Sequence, residues 1–201
     1  MKRILSAAAF TLLAAPAFAN NDSGIYIGIA AGQADAGLNE ADFASVDDGS
    51  LSGETLDKKD TFKGLMVGYG FNDYFGAELG LVNVGTATQD ATSDGTGTAY
   101  TAGPVKATLE VEGWTFSALG KLPVTDDLTV YGRAGIFSWD ATAAISNNSA
   151  YGSAKTSGSD PFVGIGVRYD LDQVFFGAEY TRYDIDSYDV DVLSAHVAYK
   201  F

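Results

Sequence analysis

Eight segments of this 201-residue chain alternate apolar residues with small or polar ones, and the connections between them are by turns short and long. The last segment shows the period most plainly. Leu193, Ala195, Val197, Tyr199 and Phe201 fall on one parity, and Ser194, His196, Ala198 and Lys200 on the other. A period of two puts each set on its own face of a β-strand. The same parity collects Ile25, Ile27 and Ile29, then Leu65, Val67, Tyr69 and Phe71, then Phe75, Leu79 and Leu81. It continues through Trp114, Phe116 and Leu122, through Leu128, Val130 and Ile136, through Val163, Ile165, Val167 and Tyr169, and through Phe176, Ala178 and Tyr180. The runs "NDY", "PVTDD" and "DLDQ" make tight turns. Residues 34–60, 86–106 and 141–160, rich in Gly, Ser, Thr, Asp and Asn, are expected as long loops, and 185–188 as a shorter one. The class is all-β, with both termini at the short-turn end and no convincing amphipathic helix.

What the apolar face touches decides the rest. A soluble barrel turns that face inward around an apolar ligand; a membrane barrel turns it outward to lipid. The opposite face here carries Glu78, Arg133, Arg168, Glu179, Ser194 and His196 among many glycines, including Gly28, Gly68, Gly135 and Gly166. Small residues with a few opposite charges suit a narrow packed lumen better than a water-facing exterior. Length agrees. A tilted strand climbs roughly 2.6 Å per residue, so the apolar parity from Phe201 to Leu193 covers roughly 21 Å, and Asp191 follows near the top of a ~25 Å apolar band. Tyr69, Phe71, Phe75, Tyr169, Tyr199 and Phe201 fall together at the short-turn end, as an interfacial girdle would. Lipid cannot satisfy an unpaired backbone, so the sheet must close. These observations predict an eight-stranded antiparallel up-and-down transmembrane β-barrel, with short turns at one end and long loops at the other. In "KATLEVEGWTF" the apolar parity jumps between Val111 and Trp114, which predicts a bulge near Gly113 or places Leu109 and Val111 above the membrane.

The chain starts MKRILSAAAFTLLAAPAFA. Its charged start, short apolar run and Ala17-Phe18-Ala19 site make residues 1–19 a cleavable secretory signal, leaving 20–201 as the barrel domain. The formal charge is −14, from 12 basic and 26 acidic residues, and loss of Lys2 and Arg3 leaves the remainder more acidic still. Such a balance argues against nucleic acid as a partner. There is no cysteine and one histidine, which leaves little for a transition-metal site. Ser194, His196 and Glu179 suggest acyl hydrolysis, but the parity set by Phe201 points them into the lumen, away from lipid. The chain is therefore read as non-enzymatic, with no cofactor. Asp184, Asp186, Asp189 and Asp191 lack the spacing and glycine of a calcium loop and read as a solvated acidic tip. Asp47, Asp48, Glu54, Asp57 and Asp60 read likewise. Arg182, outward at the upper edge, either meets a lipopolysaccharide phosphate or snorkels.

"GYGFNDYFGAELGL", "KLPVTDDLTVYGRAGIFSW" and "GIGVRYDLDQVFFGAEYTRYD" resemble the transmembrane domain of OmpA-like outer-membrane proteins, in the right order and over most of the chain after the leader. The resemblance implies an outer-membrane location, contact with outer-membrane lipids and lipopolysaccharide, a monomer, and a role in envelope integrity or surface adhesion. It also implies that Tyr199 and Phe201 form a terminal aromatic signal for the outer-membrane assembly machinery. Some members conduct ions through a lumen gated by salt bridges, and Glu78, Arg133 and Glu179 fall on lumen positions. The family's gating lysine falls at Leu119, its lumen arginine at Gly177, and Arg168 stands where an acid is usual. A narrow ion-conducting pore is thus the alternative, followed by a lipid-modifying enzyme and by a soluble periplasmic binding barrel. Many members continue into a peptidoglycan-binding domain, which this chain, ending at Phe201, is expected to lack.

Overall fold

Alternating segments of the predicted kind do form strands, and the three short runs do form hairpin turns. The protein is described here from a computed structural model covering residues 23–38, 47–148, 150–185 and 188–201. The leader and Asp186 lie outside these residues. The strands are β1 (Gly24–Ala36), β2 (Leu51–Asp57), β3 (Lys59–Gly70), β4 (Phe75–Ser93), β5 (Gly103–Pro123), β6 (Leu128–Asn147), β7 (Ala150–Leu171), β8 (Val174–Ile185) and β9 (Tyr188–Lys200). From β3 to β9 each strand pairs antiparallel with the next, and β1 pairs with both β3 and β9, so eight strands close into a barrel. β2 hangs on the upper end of β4, from Leu51 opposite Ser93 to Asp57 opposite Thr88.

The tight turns follow from their side chains. Asn72 Oδ1 accepts the backbone N–H groups of Tyr74 and Phe75, each at 2.8 Å, which folds the chain between β3 and β4. Thr125 Oγ1 accepts from Asp127 at 3.3 Å and Leu128 at 3.0 Å between β5 and β6. Asp172, at φ 54°, takes the left-handed position in the turn between β7 and β8, which a short polar side chain tolerates.

Two expectations need correction. Residues 86–106 and 141–160 are mostly strand: β4 and β5 stay paired up to Ser93 opposite Gly103, and β6 and β7 up to Asn147 opposite Ala150. Their Ala, Thr, Ser and Gly residues show little hydrophobic alternation, yet the hydrogen-bond ladder propagates into them from below. The 20 residues of β6 climb roughly 50 Å and the 12 of β8 roughly 30 Å. The wall is therefore tall along β4–β7 and low along β8, β9, β1 and β3. Part of the 34–60 connection is strand as well, in β2. Second, the irregularity is not at Gly113. The register shift lies on β4, between Asn83 and Gly85, opposite Glu112 and Val111. Gly85 takes φ 101° there and donates its N–H to Asn83 Oδ1 at 2.9 Å. β5 itself alternates without a break, with Val105, Ala107, Thr115 and Ser117 inward and Trp114 and Phe116 outward. The apolar parity jumps because the apolar face changes. Below the jump the outward face meets lipid; above it the inward face, with Leu109 and Val111, packs on a core.

The face question is settled by neighbouring pairs. Leu79 is 51% exposed and Val167 45%, while Glu78 and Glu179 are 6% and 7% exposed. Val197 is half-buried on the outward face. A continuous exposed belt holding Leu65, Leu81, Phe116, Ile136, Ile165 and Leu193 is far beyond what a water-soluble exterior tolerates, and it matches a closed sheet in lipid.

Candidate functional site

Across the barrel from one another, Tyr26 on β1 and Tyr131 on β6 lie flat along the inner wall because glycine stands beside each. Tyr26 is registered with Gly68 and Tyr131 with Gly166. A Cβ at Gly68 would overlap the Tyr26 ring, and one at Gly166 would sit 2.6 Å from the Tyr131 phenol. So placed, Tyr26 donates to Glu78 Oε2 at 3.0 Å and Tyr131 donates to Glu179 Oε2 at 2.7 Å. Arg133 sits between the two acids. Its Nη1 is 2.6 Å from Glu78 and its Nη2 2.8 Å from Glu179, and Thr181 also donates to Glu179. The guanidinium lies 5.0 Å from the centroid of Phe162. One fork of donors thus ties two carboxylates from opposite sides of the barrel, a geometry suited to arginine.

Above this ionic layer the interior is apolar. Phe137, Tyr183, Phe162 and Val192 are essentially inaccessible, and Ala34, Phe62, Val82, Val84, Trp139, Ala141, Ile185 and Val190 complete the cluster. Phe162 stacks on Tyr183 with centroids 5.2 Å apart, and Phe137 leans on it at 5.0 Å. Sequence reasoning expected a polar lumen throughout and did not find this plug. Below the ionic layer, Asp170 accepts Arg168 Nε at 2.8 Å and Lys200 Nζ at 2.6 Å, and Arg168 lies 4.8 Å over the Phe175 ring. The cavity lined by Tyr26, Glu78, Arg133, Arg168 and Glu179 measures about 40 Å³, room for no more than a few waters.

All six residues expected in the lumen do face it. Glu78, Arg133 and Glu179 form the ionic layer, and Arg168 belongs to the lower group with Asp170. Ser194 and His196 are buried, but they do not assemble a relay with Glu179, whose carboxylate is taken by Arg133, Tyr131 and Thr181. The His196 ring instead covers Gly177, its cross-strand partner, beside Phe175 and Tyr131 at centroid distances of 6.0 and 6.2 Å. Leu119 and Gly177 are inward, so the positions of the family's gating lysine and lumen arginine hold no charge. Tyr26, Tyr131, Asp170 and Thr181 were missed. Inward parity next to identified strand residues is the signal that could have found them.

At the upper edge Arg182 is bidentate with Asp191, Nε to Oδ1 at 2.7 Å and Nη2 to Oδ2 at 2.8 Å, and Tyr180 donates to the same carboxylate at 2.7 Å. The guanidinium expected to meet phosphate or solvent is thus already paired. Asp189 approaches it at 4.0 Å. Among the described residues no group of three or more His, Cys, Asp or Glu is placed to hold a metal ion. Among the loop acids, Asp48 has its pKa lowered to about 2 by the Ser50 hydroxyl and the Ala99 backbone N–H that bond to it. At the other end Tyr199 and Phe201 are exposed, edge to face with centroids 5.0 Å apart, and the Phe201 N–H donates to Ile25 at 2.9 Å. Tyr199 donates to Gln173 Oε1 at 2.8 Å.

The family model for the outer membrane protein beta-barrel domain matches residues 5–201. No curated protein matches the chain significantly. Among solved structures, Ail, the attachment invasion locus protein of Yersinia pestis, in complex with the heparin analogue sucrose octasulfate, is similar at 15% identity and a TM-score of 0.53, over 89% of this chain and 99% of that one. OprG of Pseudomonas aeruginosa is similar at 18% identity and 0.51, over 90% and 98%. Neisserial surface protein A is similar at 16% and 0.51, over 89% and 98%. At such identities the likeness is one of fold.

Proposed function

Given that the chain belongs to the outer membrane protein beta-barrel domain family, we propose that it is a non-conducting barrel that works at the cell surface, in adhesion or in envelope structure, through the tall wall raised on β4–β7. The observation that carries this reading is the double closure of the lumen. An aromatic plug stands over an ionic layer whose charges are tied across the bore, and the space left is about 40 Å³. A pore needs a continuous polar path, and here one would have to breach both layers.

The tall wall supports a surface role. A paired sheet rising past the lipid belt is a rigid platform, which costs less ordering entropy on contact with a partner than loops would. Ail is described with a heparin analogue; the strongly acidic balance of this chain is ill suited to a polysulfate and favours neutral or cationic partners. The outward belt contacts lipid and, at its upper rim, lipopolysaccharide. The protein works as a monomer, and Tyr199 and Phe201 serve as girdle and as terminal assembly signal.

Planar-bilayer recording of the refolded protein tests the proposal. No steady single-channel steps are expected. Reproducible steps that vanish in Glu78→Ala would replace it with the pore.

A further inference from the structure

The upper mouth of the barrel holds a second cavity, separate from the ionic layer and far larger. It measures about 470 Å³. Ala107 and Leu109 of β5, Ala143 and Ile145 of β6, and Gly152 and Ala154 of β7 line it on the tall side. Leu38, just past β1, and Tyr188, at the start of β9, line it from the low side. β5 and β6 stand opposite β1 and β9 in the strand order, so the cavity bridges the mouth rather than lying on one face. Leu109 also packs on the aromatic cluster, so the plug closes the cavity from below.

Two features point to a ligand. The first is composition. The plug a few residues lower fills the same bore with Phe, Tyr and Trp, but here the tall-side walls are mostly Ala and Gly, with Leu109, Ile145, Thr108 and Ser153 among them. A volume of this size with apolar walls in a barrel mouth falls in the ordinary range of small-molecule sites. The second is charge. The chain as a whole is strongly acidic, at a formal −14. An anionic head group would meet repulsion at this mouth, whereas a neutral or cationic one would not.

We propose that this mouth cavity binds the apolar part of a small neutral or cationic amphiphile, with the polar end held outward toward the solvent. Binding here requires no passage through the lumen, so it holds whether or not the barrel conducts. The apolar chain belongs to a free amphiphile rather than to the anionic lipopolysaccharide of the outer leaflet.

The absence of native cysteine allows a direct test. Ala143→Cys places a thiol in the cavity, and Ser157→Cys places one on exposed β7 outside it. Each variant is reconstituted in phosphatidylcholine nanodiscs and reacted with a small aqueous methanethiosulfonate, with octanol, octylammonium or octanoate added. Octanol and octylammonium are expected to slow modification of Ala143→Cys at least tenfold, octanoate much less, and Ser157→Cys not at all. Adding Ala154→Trp, which fills the cavity, should abolish the ligand effect while the heat-dependent gel shift of a folded barrel persists. Lipopolysaccharide, whose phosphate-bearing head group is anionic, should give no protection when added to the nanodiscs without ligand; protection by it would overturn the charge preference. Equal slowing of both thiols, no slowing at saturating octanol and octylammonium, or a preference for octanoate would overturn the proposal.

Discussion

Arg133→Met is expected to cost roughly 3–5 kcal/mol of folding stability, the cost of removing one partner from a buried ion pair. Glu78 and Glu179 approach Arg133 from strands on different sides of the barrel and have exchanged water for its guanidinium, Tyr26, Tyr131 and Thr181. Without the cation, two carboxylates share a space of about 40 Å³ beneath an aromatic plug. Their phenol and hydroxyl donors solvate them only in part, so they must repel, take up protons or draw water in. Reversible urea unfolding in lipid vesicles reads the loss. Neutralising the whole layer, with Arg133→Met combined with Glu78→Gln and Glu179→Gln, should recover most of it, because no uncompensated charge remains. A single variant as stable as the parent would mean that the acids are already hydrated and the lumen wetter than described.

Phe137→Ala should cost a similar amount, roughly 3–5 kcal/mol, because its ring is fully buried and its neighbours are held by the sheet. Tyr183 leans on it at 5.0 Å and Phe162 stacks on Tyr183, so removal leaves a cavity that a closed wall cannot collapse to fill. Phe116→Ala provides the contrast. That ring is 55% exposed on the outward face at the level of Ile136, its cross-strand partner. Acyl chains can flow into the space it leaves, so its loss should cost a fraction as much by the same urea titration. Equal costs for the two would mean that the plug is loosely packed, and the case for a closed lumen would fall with it.

The outward face was legible in the sequence because lipid is a uniform solvent. Leu79, Val167 and Leu193 announce it against Glu78, Arg168 and Ser194, one position away in each case. The ionic layer was half legible. Glu78, Arg133 and Glu179 stood out as charges of inward parity, but nothing local linked Tyr26 to Glu78 across 52 positions or seated its ring on Gly68. The plug was hidden for a different reason. Near Phe137 and Phe162 both faces of the strands are apolar, inward to the plug and outward to lipid, so the alternation fades where the core begins, and beside Tyr183 the outward Arg182 and Asp184 invert it. The tall wall was hidden because Ala141, Ala143 and Ser153 carry no lipid-facing signature above the belt. Their order comes from the ladder between β6 and β7, which depends on pairing rather than on side-chain pattern.

The orientation of the sheet is the claim on which the rest depends, and one fluorescence measurement reads it. Leu79→Cys, Val167→Cys and Ser157→Cys, each the single thiol in its chain, are labelled with bimane and reconstituted in vesicles. Lipids brominated along their acyl chains should quench the labels at 79 and 167 strongly, and aqueous iodide should scarcely touch them; the label at 157 should behave in the opposite way. Quenching of the first two by iodide, or by neither agent, would place them in water or inside the protein and contradict a barrel whose apolar face meets lipid.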